Sequence, residues 1–325
     1  MKINKAGMAT VQDTGRFGYR NWGINNSGCM DESSVWLCNM LVANGHSDAV
    51  VEITGGEFSF TATQVLLLAC GGKGYRISRN NNSVEPWQPF IAEAGDTVHI
   101  RPDTGGVYYV AVHGGVRSQW ILNSRSTHLQ AGFGGHDGRT LKPGDHLTVS
   151  VLRNELGERI YRHLSKPNGT GHLRLSPQAI PDHTKSVIRY FPANEHLTFS
   201  REALAILETE KFELTKYANR MGFRLNGLPM YLDNPFQMTS TAVVPGTMQV
   251  TPDGQMAVLM TDAQTTGGYP RIGQVCRVDL SLLAQQLPGS LISFRKITEE
   301  KAESIFLSRQ QAFISLEKDY ALFFS

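Results

Sequence analysis

Short apolar runs, about five to eight residues long and closed by Gly, Asp, Asn or Pro, recur along the whole chain. They predict strands at Val65–Ala69, Thr97–Ile100, Val107–Val112, His146–Val151, Val187–Phe191, Phe212–Lys216, Met256–Thr261, Gln274–Val278 and Leu291–Ile297. That spacing favours barrels or sandwiches over alternating β–α units, so the expected fold is mostly β with a few helices. Helical signals are fewer. Asp31 reads as the N-cap of a helix over Glu32–Ala43, with Gly45 just past its end. Ser200 caps Arg201–Glu208, and a short helix near Ser281–Leu287 stops at Pro288-Gly289. Thr298 opens a final helix with Glu299 and Glu300 in its first turn and an apolar stripe of Ala302, Ile305, Phe306, Phe313 and Leu316.

Two stretches echo each other: Glu93-Ala-Gly-Asp-Thr-Val-His-Ile and Lys142-Pro-Gly-Asp-His-Leu-Thr-Val. Each is a Gly-Asp turn feeding an alternating strand. A linker is expected at 166–185, where Pro167-Asn168-Gly169-Thr170-Gly171, Pro177 and Pro181 interrupt the apolar periodicity. It separates a β-rich domain over 1–165 from a second over 186–325, each with enough strands for a small barrel.

Composition narrows the function classes. The chain has 325 residues, 41% hydrophobic and 18% charged, with a formal net charge of +2. A packed core fits those numbers, and extended disorder and nucleic-acid binding do not. The four cysteines (Cys29, Cys38, Cys70, Cys276) form no CxxC, and the histidines show no metal spacing. Neither a signal peptide nor an 18-residue apolar span is visible, so a cytoplasmic location is expected. Gly71-Gly72-Lys73-Gly74 is not a P-loop. GxGxxG before a helix, GxSxG and a Met-Lys-Met biotinyl acceptor are also missing, so no biotin attachment site is expected in this chain.

Five polar constellations stand out. In Asp262-Ala-Gln-Thr-Thr-Gly-Gly-Tyr-Pro270 a buried strand opens into an amide, adjacent hydroxyls and two glycines, either a ligand-approaching loop or a glycine turn. In Gln12-Asp-Thr-Gly-Arg-Phe-Gly18, Asp13 and Arg16 flank a glycine. The arginine could take a carboxylate or phosphate while Asp13 orients it, or the two could pin a hairpin. Ser124-Arg125-Ser126-Thr127 places hydroxyls beside a guanidinium, suited to an oxyanion or to an ordinary turn. Asn219-Arg220-Met-Gly222 puts an amide and a guanidinium at a strand end, suited to an amide or carboxylate or to a bulge. Ser27-Gly-Cys-Met-Asp31 leads into the first helix, where an anion or simply the Asp31 cap would fit. Cys29 has no cationic sequence neighbour and reads as a buried, inert thiol.

Taken in order, Val11 to Gly18, Ser27 to Asp31, Asn39, Glu52, Gly114-Gly115, Ser124 to Thr127, Gly138-Arg139, Gly144-Asp145, Asn219 to Gly222, Arg224-Leu225, Pro245-Gly246, Gln249-Val250 and Gln264 to Pro270 resemble the family called allophanate hydrolase subunit 2, also known as KipA-like or biotin-dependent carboxyltransferase. The resemblance covers nearly the whole chain. It departs at Asn123, where glycine is expected, at Arg271, where lysine is frequent, and at Gly273, where alanine is usual.

The resemblance implies two cyclophilin-like β-barrel domains, a KipI-like (subunit 1) partner, and ATP-driven chemistry on small amides. The implied function is a subunit of an ATP-dependent 5-oxoprolinase that opens 5-oxoproline to glutamate with the KipI-like and a lamB-type third subunit, ATP being bound by or with a partner. The alternatives are a carboxyltransferase acting on a small amide such as urea with a biotinyl carrier, and a non-catalytic regulator of a KipI-like kinase inhibitor. On the lactam reading, Arg220 or Arg16 holds the substrate carboxylate, and Asn219 and Gln264 hold the lactam amide. Thr265, Thr266 and the Gly267-Gly268 amides stabilise oxyanion charge, and Asp262 is a candidate base. Asp13, Ser124, Arg125, Ser126, Gln249 and Tyr269 complete the expected substrate contacts.

Overall fold

The computed structural model describes residues 1–150, 154–166, 173–234 and 236–324. Pro167 to Gly171 of the expected linker, and the end of the expected His146–Val151 strand, lie outside the described residues. The chain divides into two compact units: Met1–Arg16 with Ser27–Pro181 and Phe313–Ser325, and Phe17–Asn26 with Asp182–Ala312. The main break is near Pro181, but two segments change sides. Residues 17–26 belong with the C-terminal half and residues 313–325 with the N-terminal half, which a boundary drawn along the sequence does not capture.

The first unit carries two five-stranded sheets. One runs, in spatial order, Lys2–Lys5, Phe58–Thr61, Thr97–Pro102, Tyr75–Arg79, Asn82–Val84. The other runs Ala9–Gln12, Val50–Ile53, Tyr108–Val112, Leu66–Gly72, Pro89–Ala92. Alternate positions of both sheets feed one core, with Ile3, Phe60, Val98 and Ile100 from the first and Val11, Val51, Leu68 and Val110 from the second. In the second unit the barrel closes: Val187–Pro192, Arg271–Val275, Thr247–Val250, Met256–Leu259, Gly222–Asn226, Phe212–Leu214, Leu291–Lys296. Tyr190, Phe212 and Phe294 fill it, with ring centroids 5.7 Å apart for the last two.

The described helices are α1 (Glu32–Leu41), α2 (Glu155–Leu164), α3 (Arg201–Thr209), α4 (Arg277–Ala284) and α5 (Glu299–Phe323). Asp31 caps α1 by accepting from the Ser34 amide at 3.0 Å. The stop is Ala43, left-handed at φ 56°, rather than the expected Gly45. Ser200 caps α3 as expected. The expected Gln274–Val278 strand ends at Val275, because the chain turns at Cys276 into α4, which therefore starts four residues ahead of the expected Ser281. No described helix is long and apolar enough to cross a membrane.

The sequence echo is a structural one. Gly95 and Gly144 sit at φ 94° and 92°. Asp96 accepts from the Glu93 amide at 2.9 Å, and Asp145 from the Lys142 amide at 2.7 Å. Each turn thus uses its aspartate to cap the chain three residues back.

Candidate functional site

Two of the constellations assemble in the first unit, and they close on each other. Asp13 Oδ1 accepts from the Gly15 amide at 2.8 Å and from the Ser124 hydroxyl at 2.7 Å, and also from the Ser126 hydroxyl. Asp13 Oδ2 accepts from the Arg125 amide. The lone pairs of the two serines are used as well: Ser126 Oγ accepts from the Asp13 amide at 3.0 Å and Ser124 Oγ from the Ser126 amide at 2.9 Å. Arg16 donates to the Ser126 carbonyl and lies over the Phe133 ring at 4.8 Å, with no solvent exposure. Arg125 donates to the Ser118 carbonyl and stacks on Trp120 at 5.2 Å. Asp13, Arg16, Ser124 and Ser126 therefore pin the N-terminal loop to the 124–127 segment with their own hydrogen bonds.

The start of α1 answers a second expectation. Glu52, fully buried, accepts from the Met30 amide at 2.7 Å and from the Tyr109 hydroxyl at 2.9 Å, so the anion at this helix end is the protein's own. Burial, then Glu32 and Glu52, raise the Cys29 thiol well above its ordinary value, which agrees with an inert cysteine.

The other two constellations meet in the second unit. Arg220 grips Asp262 with two donors, Nε to Oδ2 at 2.8 Å and Nη2 to Oδ1 at 3.1 Å. The Asp262 amide donates to the Arg220 carbonyl at 2.8 Å, tying the two segments together at backbone level. From residues 17–26, Asn25 donates to the Asp262 carbonyl at 2.8 Å and Arg20 donates to the Val243 carbonyl. Beyond Asp262 the chain runs outward. Thr266–Gly267 forms a two-residue ladder with Thr241–Ala242, and the Val243 amide donates to the Thr265 carbonyl at 3.1 Å.

That loop is braced from below. Gln249 is buried and donates to the Tyr269 carbonyl at 3.3 Å. A Cβ at Gly267 would meet the Gln249 amide nitrogen at 2.6 Å, so glycine is required for this approach. Gln264, Thr266 and Tyr269 remain exposed on the outer side, and Thr265 is half-buried. Asn219 is spent locally: its carbonyl oxygen accepts from the Met221 amide at 2.8 Å and its amide donates to the Tyr217 carbonyl at 3.2 Å. The Asp262 oxygens, expected to offer a base, both face Arg220.

The sequence from 22 to 296 matches the family pattern "Carboxyltransferase domain, subdomain A and B". The chain belongs to this carboxyltransferase-domain family. It is 33% identical over 318 residues to a 5-oxoprolinase component of Escherichia coli, covering 97% of both chains. With the 5-oxoprolinase component of the same name from Haemophilus influenzae it shares 33% over 301 residues, 91% of each. Among solved structures it resembles the protein TTHA0988 with a TM-score of 0.74 and 30% identity, over 90% of this chain and 55% of that one. It has the fold of part of the K. lactis urea amidolyase, with a TM-score of 0.82 at 24% identity, over 96% of this chain and 19% of that one. The chain thus spans about half of the first structure and a fifth of the second.

The three departures within this carboxyltransferase-domain family have local causes. Asn123 is left-handed at φ 59° beside Leu122 at φ 52°, between the paired Ile121 and Ser124. Such a turn favours glycine, and asparagine tolerates it better than most residues. Arg271 is matched by Glu195, which the sequence reading missed: Nε reaches Oε2 at 2.6 Å and Nη2 reaches Oε1 at 2.7 Å. That fork is a geometry lysine cannot make. At Gly273 a Cβ would meet the Tyr190 ring at 2.6 Å, so the glycine accommodates that tyrosine.

Proposed function

We propose that this chain is a subunit of an ATP-dependent 5-oxoprolinase, opening the lactam of 5-oxoproline to glutamate together with a KipI-like protein and a lamB-type third subunit. The observation that carries the reading is the Gln264–Tyr269 loop: polar on its outer side, and held at its base by the Arg220–Asp262 fork and the buried Gln249. The 33% identity to 5-oxoprolinase components of two bacteria, along nearly the full length of both relatives, supports the substrate class.

In this reading Gln264 holds the lactam amide, the Thr265 and Thr266 hydroxyls lie beside its carbonyl oxygen, and the exposed Tyr269 ring covers the flat ring of the substrate. Asp262 and Arg220 position the loop. Their mutual pairing satisfies both charges, and it is the loop's outer side chains that meet the lactam. ATP does not fit the glycine-rich run of this chain. Gly71–Gly74 carries the chain from a strand of one sheet to a strand of the other instead of opening a helix, and a Cβ at Gly74 would meet the Gly105 carbonyl at 2.1 Å. In this reading a partner binds the nucleotide.

The test is 5-oxoproline-dependent phosphate release by the chain purified with and without its two partners. Turnover is expected only with all three, and no turnover in the complete mixture would sink the reading. A second reading, carboxyl transfer to a small amide such as urea, is favoured by the family pattern itself. It predicts instead that a biotinylated carrier and bicarbonate are needed.

A further inference from the structure

The reading of the sequence leaves two arginines, Arg16 and Arg220, to hold the substrate carboxylate, and the structure occupies both. Arg16 lies buried in the first unit on the Ser126 carbonyl and the Phe133 ring, and Arg220 is forked onto Asp262. Arg271, the next cation along the loop, is forked onto Glu195. Arg20 differs from the two forked arginines. Its Nη2 donates to a neutral acceptor, the Val243 carbonyl, and its Nη1 is buried without a hydrogen-bond partner. No carboxylate pairs with it among the described residues, and burial alone lowers its pKa. A half-buried guanidinium facing one carbonyl is an uncompensated charge, and such charges are costly unless something anionic completes them.

Its place matters. Val243 is held on its carbonyl by Arg20 and on its amide by Thr265, so the guanidinium stands one residue away from the polar loop. Two further buried polar atoms nearby in the chain lack partners: Thr241 Oγ1, on the strand paired with Gly267, and Asn26 Oδ1, next to the Asn25 that holds Asp262. A donor cation, a hydroxyl and an amide oxygen left unmatched on segments tied to this loop are what a small ligand with a carboxylate and an N–H would satisfy.

We propose that Arg20 is the anion anchor of this site, taking the carboxylate of a small amide acid whose amide lies on the Gln264–Thr266 loop. This rests on the lactam reading only for the identity of the amide. A ligand carboxylate reaching the guanidinium would give Nη1 the acceptor it lacks, while Nη2 keeps Val243 in place.

The test compares a charged lactam with a neutral one, by calorimetric titration of the full chain. Wild type is expected to bind 5-oxoproline more tightly than 2-pyrrolidinone. Arg20→Gln should weaken 5-oxoproline roughly 10- to 100-fold and leave 2-pyrrolidinone unchanged, and Arg20→Lys should recover part of the loss. Equal weakening of both ligands would mean that Arg20 only supports Val243, and unchanged or undetectable 5-oxoproline binding would also overturn the proposal. Succinamate, a carboxylate without a lactam, separates the two readings. Arg20-dependent succinamate binding in a chain whose full complex hydrolyses no lactam retires the lactam reading and retains the anchor.

Discussion

Asp13 and Asp262 are both buried aspartates next to an arginine and a glycine-bearing loop, yet they end in opposite situations. Asp13 accepts from two serine hydroxyls and two backbone amides, and those serines in turn accept from the chain around them. The Asp13 carboxylate and both serine hydroxyls are engaged there. Asp262 is satisfied by one arginine, and the chain that follows it carries its amide and hydroxyls outward. The same residue types make a latch in one unit and the footing of an exposed polar loop in the other. What separates them is whether the neighbouring polar groups are consumed.

The largest effect expected from this contrast is at the latch. Asp13→Ala leaves four donors facing an empty acceptor and should cost about 3–5 kcal/mol in urea unfolding of the first unit. The protein that still folds should keep its ligand affinity, and normal stability with lost binding would reverse the assignment of the two aspartates. Arg220→Met comes next. It strands the Asp262 carboxylate and should cost about 2–3 kcal/mol, with turnover of the complex down roughly 100-fold because the loop loses its base.

At the loop itself, Gln264→Ala combined with Thr266→Ala should change stability by no more than about 0.5 kcal/mol, since both side chains are exposed. The same double variant should lower turnover about tenfold or more. Full turnover would make the loop structural, like the latch.

The smallest effect is a pH dependence. Arg271 hydrogen bonds hold the Glu195 carboxyl below its ordinary value. A carboxyl depressed in the folded state stabilises fully above its unfolded pKa, and that contribution is lost as pH falls through the folded one. Glu195→Gln should therefore narrow its stability gap from wild type in acid, and a gap that stays constant from neutral to acid pH would show that the pair contributes no such linkage.

Much of the fold was legible because it is local. The Asp31 and Ser200 caps, the short β runs and the two Gly-Asp turns are written in adjacent residues. Helix α2 was not legible. Its buried positions, Gly157, Ile160 and Leu164, do keep helical spacing, but a glycine in the first turn reads as a break. That glycine is there because a Cβ would meet the His113 ring at 2.3 Å. At Val275-Cys276-Arg277-Val278 a strand-like, mostly apolar run hides the turn from strand into α4.

The site divides in the same way. Gly267-Gly268 marked the loop, but nothing near Arg271 in sequence points to Glu195, 76 residues earlier. Nor can a sequence tell which of several arginines lacks a carboxylate, since that is decided by every other pairing in the fold.

The placement of residues 17–26 with the C-terminal barrel has a consequence for how the protein is made. Arg20 and its Val243 partner are 223 residues apart, so at ordinary rates of synthesis about 10–45 s pass between the ribosome's emission of one and the other. For that interval a stretch bearing Phe17, Tyr19 and Trp22 has left the tunnel without the strands it belongs to. The first unit can begin to fold on the nascent chain, whereas the Gln264–Tyr269 loop can be completed only near the end of translation, and a chaperone that shields the N-terminal stretch would act on the yield of the second unit rather than the first.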